Sequence, residues 1–386
     1  MPISLPTPTQ VGSATTPWRF ELATLKGVGL GELTGINNRK LTFQLNRPTT
    51  FEGTMDVHHP LMATMMNQAN QHLLVKAYKR GTLMAQVEIA SGELKGDATS
   101  HTIQLNGTCT AYARIKDRHI GKSAAGVTYT NFDRTQIVAS ALAEINAEKD
   151  SKVRMGAGSS TSIVTAGPFR YKPFLQLVNE LSNTITGFDH WITLAEPNID
   201  PNGAYGYLNV SALRGTLREN AVLEYGTGRR NAREYGLQWD TSFRITRGLA
   251  LPPSFPDNAN LEVVSRTAVD YAAIEDTEGA GMREAIIEGD LVDTGLRQLL
   301  VDEHLSVRRY PRQLFVIHPH IYTGDTKVPD FGFDYDIGDM IEGRVDDSGL
   351  VMLNAIVRVY KAECAINDEG VESVTLTTVD EATTGS

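Results

Sequence analysis

The sequence predicts a mainly β fold with an α+β insertion, on three observations. Strand-like segments fill residues 19–131, helical periodicity first appears after Asn131, and strand patterns return from about residue 231 onward. A region that interrupts a strand-rich unit and is followed by more strands indicates discontinuous domains. The length of 386 residues also suits two or three domains.

The N-terminal part has the period of a half-buried strand. Leu41, Phe43 and Leu45 are separated by polar residues, so one face of this strand is expected to be buried. Further strand-like segments are HLLVKAYKR, TLMAQVEIA, HTIQLNGTCTAY and ARIKDRHI, and a short helix is expected in PLMATMMNQAN. The turn signals between them are typical of an antiparallel sandwich or a small barrel.

The middle part contains two amphipathic helices. TQIVASALAEINAEK has an apolar stripe and Thr135 as its expected N-cap, while YKPFLQLVNELSNTITG has Pro173 near its first turn and Gly187 beyond its end. The apolar positions are Ile137, Ala141, Leu142 and Ile145 in the first helix and Phe174, Leu177, Val178 and Leu181 in the second. Strands are expected in HWITLAEP and AYGYLNVSAL, which makes this an α+β region.

The C-terminal part is predicted to be strands with one interruption. Strands are expected in REYGLQWDTSFRITRGLALP and LEVVSRTA, and MREAIIEGDLVDTGLRQLLVDEHL has mixed helical spacing broken by Gly289 and Gly295. The last predicted strands are RQLFVIHPHIY, DMIEGRV, LVMLNAIVRVYKAECAI and ESVTLTTVD, with DDSG and NDEG as turns.

Composition excludes several classes of protein. The net charge of -10 argues against a nucleic-acid binder, which needs clustered lysine and arginine. Cys109 and Cys364 are the only cysteines and lie far apart, so neither a disulfide framework nor a thiolate zinc site is expected. The first eighteen residues carry no secretory signal pattern, and no segment has the roughly 18 to 20 apolar residues of a membrane span, so we expect a soluble protein.

Motifs for nucleotides and for covalent catalysis are incomplete. KGVGLGEL has Glu32 where a dinucleotide fingerprint needs its third glycine, and HIGKS has Lys116 where a phosphate-binding loop needs its first. GAGSST, residues 156–161, is expected to be a flexible loop. The alternative is a nucleophile at Ser159 or Ser160, for which no spacing nominates a histidine base.

Candidate metal and acid sites are similarly incomplete. His58-His59 and His318-Pro-His320 could approach a metal, but no third and fourth ligands stand at suitable spacing, so surface or interface histidines are expected. A glycosidase pair needs two carboxylates, and the sequence neither excludes nor nominates one. We therefore assign no catalytic, cofactor-binding or metal-binding residue, and no cofactor.

The segment FDYDIGDMIEGRV, residues 333–345, is rich in acids. A calcium loop begun at Asp334 would need other residues where Gly338, Asp339 and Val345 stand. The pattern instead predicts a turn that feeds a strand, with Gly338 able to adopt a positive φ. An irregular cation site formed by these acids is left open as an alternative.

Two stretches carry a resemblance to a known family. They are WRFELATLKGVGLGELTGINNRKLTFQLNRPTTFEGTMDV near the N-terminus, and DYDIGDMIEGRV followed by NAIVRVYKAECAINDEGVESVTLTT near the C-terminus. Their order resembles that of the hub proteins of long-tailed bacteriophages, which close the distal end of the tail tube. In such proteins a Gly-Asp turn opens a strand near the C-terminus, and a hairpin with a D-x-G turn closes the chain.

The resemblance implies two tail-tube-like antiparallel β-barrel domains plus an α+β domain. It implies the first barrel at residues 1–125, the α+β domain at 126–226 and 266–304, and a second, discontinuous barrel at 227–265 and 305–386. Three chains would form a pseudo-sixfold ring that closes or extends the distal tail tube. No enzymatic activity is implied.

The resemblance also implies a place and partners. The homotrimer would belong to the virion tail tip after synthesis in the host cytoplasm, beside the distal tail protein ring, the tape measure protein and other tail-tip or receptor-binding proteins. Genomic DNA would pass through the lumen without specific binding. Acids such as Asp334, Asp336, Asp339 and Glu342 would favour this if they faced the lumen, because like charges repel within about 8 Å.

Two rival functions stay open. One is a tail-tip enzyme that cleaves cell-wall polysaccharide or peptide with an unassigned carboxylate pair. The other is a carbohydrate-binding adhesin that stacks sugars on Trp191, Tyr205, Tyr207 or Trp239, although core packing is the expected use of these rings.

Overall fold

The protein is built mainly from strands, with five helices among the residues described. The computed structural model describes residues 18–67, 72–96, 101–159, 161, 163–182, 187–226, 231–240, 244–251, 263–267, 281–287, 294–308, 312–320, 328–347, 351–367 and 371–380. No helix within these residues is long and apolar enough to cross a membrane.

The N-terminal part is strand-rich, as the alternation in residues 41–46 predicts. Its elements are β1 (Trp18–Thr24), β2 (Gly29–Glu32), β3 (Ile36–Gln44), β4 (Thr50–Asp56), α1 (Met62–Asn67), β5 (Leu73–Lys79), β6 (Thr82–Gly96) and β7 (His101–Cys109). The short helix expected in PLMATMMNQAN is α1, and the last strand ends at Cys109 instead of continuing to Tyr112.

The middle part mixes helices and short strands. Its elements are α2 (Thr110–Ile115), β8 (His119–Ile120), β9 (Val127–Asp133), α3 (Arg134–Glu148), β10 (Val153–Gly158), β11 (Ile163–Phe169), β12 (Lys172–Pro173), α4 (Phe174–Ser182), β13 (Asp189–Leu194) and β14 (Gly206–Ser211). The two helices predicted from apolar stripes are α3 and α4, and all eight stripe residues are buried.

Three local predictions in this part are wrong. ARIKDRHI is not one continuous strand, because its first three residues belong to α2, where Ile115 is buried in the second core. Only its last two residues form a strand, β8. Helix α3 is capped by Asp133 instead of Thr135, in a capping box with Gln136. The first half of GAGSST belongs to strand β10 instead of a flexible loop.

The C-terminal part returns to strands. Its elements are β15 (Leu217–Tyr225), β16 (Ala232–Asp240), β17 (Arg247–Ala250), β18 (Val264–Thr267), β19 (Glu284–Ile287), α5 (Thr294–Arg308), β20 (Arg312–Pro319), β21 (Met340–Asp347), β22 (Val351–Ile366) and β23 (Glu372–Asp380). Each predicted strand here has a counterpart, and Gly295 lies in the first turn of α5. Gly289 and most of the DDSG and NDEG turns lie outside the described residues.

Thirteen strands from the two ends of the chain form one large sheet. The order is β16-β20-β23-β22-β3-β4-β7-β6-β5-β1-β2, with β21 on β22 and β15 on β21. Neighbours are antiparallel except for the parallel pair β15–β21. Side chains of strands at both ends of this order share one core, for example Trp18 and Phe315, so the sheet must curl around it.

Strand β22 joins the two ends of the chain. Its residues Val351 to Arg358 pair with β21, whereas Lys361 to Ile366 pair with β3 on the same edge. Its other edge pairs with β23 over Val357 to Ile366. The first and last parts of the sequence are therefore hydrogen-bonded side by side in one sheet.

Two further apolar cores lie outside the large sheet. The second core contains residues from Cys109 to Val210, drawn from α2, α3, α4 and the small sheets β10–β14–β13, β9–β11 and β8–β12. The third core packs α5 on the sheet β18–β17–β19. The mainly β fold with an α+β insertion is confirmed, while the domain boundaries stay a prediction.

Candidate functional site

The side of the large sheet that points away from its core is polar over six neighbouring strands, β23, β22, β3, β4, β7 and β6. Alternate residues such as Leu41, Phe51 and Leu105 are buried, so their neighbours in sequence face outward. We call these outward residues the polar face. It consists of Thr377, Lys361 and Gln44; Thr375, Glu363, Thr42, Thr50 and Thr108; Ser373, Ala365, Lys40, Glu52, Asn106 and Ser91; Asn37, Thr54, Gln104 and Glu93; and Asp56 and Thr102, each group forming a row across the strands.

The polar face is rich in hydroxyls and amides. None of its residues is buried, and none is more apolar than Ala365. Threonine suits an exposed strand, because its branched Cβ favours the extended backbone while its hydroxyl can bind water. A wide sheet face of this kind offers a smooth, hydrated surface without a ring or aliphatic chain to hold a partner.

Charges on the polar face favour acids. Among the side chains that the structure describes, it carries the carboxylates of Glu52, Asp56, Glu93 and Glu363 against the ammonium groups of Lys40 and Lys361. Glu363 binds both lysines, with distances of 3.3 Å to Lys40 and 2.6 Å to Lys361. Burial acts to raise the pKa of Glu363, but the two lysines outweigh it and hold that pKa below its ordinary value. The face therefore has an excess of negative charge.

The acids of FDYDIGDMIEGRV do not belong to the polar face. The Asp339 carboxylate is buried and accepts hydrogen bonds from the Thr216 N–H at 2.8 Å, the Arg218 Nε at 2.8 Å and the Asp336 N–H at 3.0 Å. Asp336 is in turn bound by Arg214 at 2.9 Å. The segment is the predicted strand-opening turn, and these carboxylates fasten the connection between β14 and β15 to it.

The remaining features of this segment are also structural. Gly338 has a φ of 91°, the positive value that the pattern predicts, and Asp334 accepts a hydrogen bond from the Asp330 N–H. Glu342 lies on the outer side of β21 and pairs with Arg344 at 2.7 Å. Asp339 cannot line a lumen, because only 2% of it is exposed. No group of three or more histidine, cysteine or acidic residues within the described part is placed to hold a metal ion.

A buried ion cluster lies inside the large sheet. The Lys79 ammonium donates to Asp330 at 2.6 Å and to the Phe331 carbonyl at 2.8 Å, and pairs with Glu372 at 2.6 Å. Burial acts to lower the pKa of Lys79, but Glu372 and Asp330 outweigh it and raise that pKa. The cluster fixes the segment before β21 to β5 and β23, so the charges of Lys79, Asp330 and Glu372 serve to stabilise the fold.

Three of the serine and histidine candidates, among the residues described, bind other groups of the chain. Ser159 donates a hydrogen bond to Ser211 at 3.0 Å, and Ser160 lies outside the described residues. His59 accepts a hydrogen bond from the Leu61 N–H at 3.1 Å, and His318 lies 3.1 Å from the Thr375 hydroxyl, next to the polar face.

His190 is a buried histidine that sequence reasoning did not single out. Its ring nitrogens lie 3.0 Å from the Tyr112 hydroxyl and 3.2 Å from the Asn179 side-chain oxygen. Burial lowers the pKa of His190 to about 4, so the ring is neutral at neutral pH. It serves as a hydrogen-bonded part of the second core.

The candidate sugar-binding rings are engaged by their own chain. The Arg214 guanidinium lies 5.3 Å from the Trp191 ring centre, that of Arg114 lies 5.8 Å from Tyr205, and the Tyr207 hydroxyl donates to Asp200 at 2.7 Å. The three rings are partly exposed, and Tyr205 packs against the second core as expected. The side chain of Trp239 lies outside the described part.

Comparisons with known proteins give a likeness in structure and none in sequence. No family model matches the chain, and no curated protein matches it. A tail protein from Neisseria meningitidis MC58 superimposes with a TM-score of 0.58 at 12% identity, covering 95% of this chain and 97% of that one. The chain has the fold of a phage tail protein.

Two more solved structures agree. The 43 kDa tail protein of prophage MuSo2 from Shewanella oneidensis has a TM-score of 0.58 at 13% identity, with 96% of this chain and 98% of that chain covered. The prophage tail protein gp18 from Listeria monocytogenes EGD-e has a TM-score of 0.54 at 13% identity, with 94% and 95% covered. The predicted resemblance to phage tail proteins is thus confirmed for the fold.

Proposed function

We propose that this protein is a structural component of a phage tail tip and that its polar face lines a passage for DNA. The observation that carries the proposal is the polar face itself, which spans six strands, bears no side chain more apolar than Ala365 and has an excess of acids. The fold shared with three tail proteins over nearly the whole chain supports the same function.

Such a surface suits the passage of a polyanion. Carboxylates at Glu52, Asp56 and Glu93 repel phosphates within a Debye length of about 8 Å. Single-stranded or double-stranded DNA is held by basic grooves and by aromatic rings that stack on bases, and the polar face offers neither. DNA can therefore slide along it without being retained.

A ring is the assembly that would close this surface into a tube. We propose a trimer in which each chain contributes two tube-like barrels, so that three chains give a pseudo-sixfold ring at the distal end of the tail tube. The barrels would be residues 1–125 and residues 227–265 with 305–386, and the α+β domain residues 126–226 with 266–304. Strands β2 and β16 end the sheet order and pair on one edge only among the described strands, so each has an edge for a neighbour.

The proposed partners follow from this place. They are the distal tail protein ring, the tape measure protein and other tail-tip or receptor-binding proteins, in a virion component made in the host cytoplasm. We assign the chain no enzymatic role.

The test reverses charge on the polar face. Glu52→Lys combined with Glu93→Lys is compared with Asp117→Lys, since Asp117 is 85% exposed and lies outside the polar face. Phage assembled with each variant is scored for completed tails and for genome release. We expect normal tails with slowed release for the double variant only. Equal release from both variants, or a monomer by light scattering both alone and with the neighbouring ring protein, would overturn the proposal.

A further inference from the structure

The second core and the large sheet meet through polar side chains. Their apolar residues form two separate clusters, and the contacts described below that join them are hydrogen bonds and ion pairs. We call residues 110–211, which surround the second core, the module. The chain enters it where β7 ends at Cys109 and leaves it after Ser211, so two connections link it to the sheet.

One end of strand β13 is anchored firmly. The Asp189 carboxylate, at the start of β13, is bound by the Arg358 guanidinium of β22 and accepts the Arg214 N–H at 2.6 Å. Asn46, just after β3, bonds both to Asp189 at 3.3 Å and to the His190 N–H at 2.8 Å. This end lies beside the connection between β14 and β15, where the chain leaves the module.

The other end of β13 is held by one ion pair. Glu196, two residues after β13, binds the ammonium of Lys76 in β5 at 2.6 Å and accepts the Tyr78 hydroxyl at 3.3 Å. Lys76 is 2% exposed and its other acceptor is the Gly27 carbonyl at 3.2 Å. Gly27 in turn fits closely against Asn198 of the same module segment.

The surface between these two ends is poorly satisfied. Gln86 of β6 is 1% exposed, and neither heavy atom of its side-chain amide has a hydrogen-bond partner among the described residues. Beside it, Arg114 of α2 pairs with Glu88 at 2.9 Å. A buried amide without partners costs free energy that is recovered when water reaches it. Separation of the module from the sheet therefore relieves one penalty, while it breaks the Arg114–Glu88 pair and the Lys76–Glu196 pair.

We propose that the module is hinged at Asp189 and is held down on the sheet by the Lys76–Glu196 ion pair. Strand β13 is the lever, with its pivot at Asp189 and its latch at Glu196. The lever is about 20 Å long at the rise of an extended strand, so a rotation of about 20° moves the latch end by about 7 Å. This inference does not depend on the proposed function in a tail.

The test measures two distances in the full chain by electron–electron double resonance. Spin labels at Val28→Cys and Ile199→Cys report the latch end. Labels at Glu180→Cys, in helix α4 of the module, and at Ile356→Cys, in the sheet, report the pivot end. All four positions are exposed, between 44% and 72%, and both native cysteines are buried. Labelled chain is diluted with unlabelled chain so that distances between copies do not contribute.

The perturbation is Glu196→Gln, which removes the charge and keeps the size of a side chain that is 22% exposed. The matched control is Asp150→Asn, because Asp150 pairs with Arg154 at 2.6 Å entirely within the module. We expect Glu196→Gln to broaden the latch distance and lengthen it by several ångströms, about 7 Å for the rotation above, with no change at the pivot. Asp150→Asn should change neither distance.

Two results would overturn the inference. An unchanged latch distance in Glu196→Gln means that the ion pair does not hold the module. An equal change at both ends means that the module does not turn about Asp189. Circular dichroism of each variant verifies that the fold is intact, and a variant that fails this control is replaced by Glu196→Asp, which keeps the charge but shortens the reach to Lys76.

Discussion

Asp339 is expected to be the most important single acid of the turn before β21. Replacing it with alanine removes the acceptor for the Thr216 N–H, the Asp336 N–H and the Arg218 guanidinium. Each hydrogen bond to a charged group contributes about 1.5 to 3 kcal/mol. Since Arg218 is half exposed and regains water, its share is at the low end. We expect Asp339→Ala to lower the free energy of unfolding by about 3 to 5 kcal/mol.

The assay is urea unfolding at pH 7, followed by far-ultraviolet circular dichroism, with the slope verified to be unchanged so that midpoints can be compared. Asp339→Asn keeps one acceptor oxygen and should lose about half as much. Glu342→Ala is the matched control, because its pair with Arg344 is partly exposed and contributes less than about 1 kcal/mol. A loss for Asp339→Ala no greater than that of the control would refute the assigned role.

The remaining predictions concern buried titratable groups. Burial lowers the pKa of His190 to about 4, so between pH 6.5 and pH 4 this ring binds a proton in the unfolded chain but not in the folded one. The free energy of unfolding should therefore be at its full value above pH 6.5 and fall by about 3 kcal/mol towards pH 4. Urea unfolding at pH 7 and pH 4.5 tests this, and His190→Gln should show a smaller loss than the native protein. Burial raises the pKa of Cys109 to about 11 and that of Cys364 well above its ordinary value, so neither thiol should react with iodoacetamide at pH 8 until urea unfolds the chain.

Sequence patterns predict an element correctly where the element depends mainly on residues close to it in sequence. The apolar stripes of α3 and α4, the alternation of β3 and the glycine at Gly338 each predict an element that the structure contains. The errors arose where a tertiary contact outweighs a local pattern. Residues 110–115 have the β-branched and aromatic content of a strand, yet the buried face offered by the second core turns them into α2.

The functional surface was harder to predict than the fold. The threonine, asparagine and glutamine residues at alternate positions of β3, β4 and β7 were a visible signal for a polar face, but its extent depends on which strands are neighbours. That order is set by pairings such as β3 with β22, which no local pattern specifies. The acids of residues 333–345 misled for the same reason, because Asp339 binds Thr216, 123 residues away in sequence.

The pairing of β3 with β22 also has a consequence in time. Gln44 and Tyr360, which are hydrogen-bonded across this seam, are separated by 316 residues. At a synthesis rate of about 5 to 20 residues per second, the ribosome needs on the order of tens of seconds to make the partner of β3. During that interval β3 presents an unpaired edge to the cell. The large sheet is therefore completed only after β22 and β23 have been made, and the nascent N-terminal half depends on protection until these strands emerge.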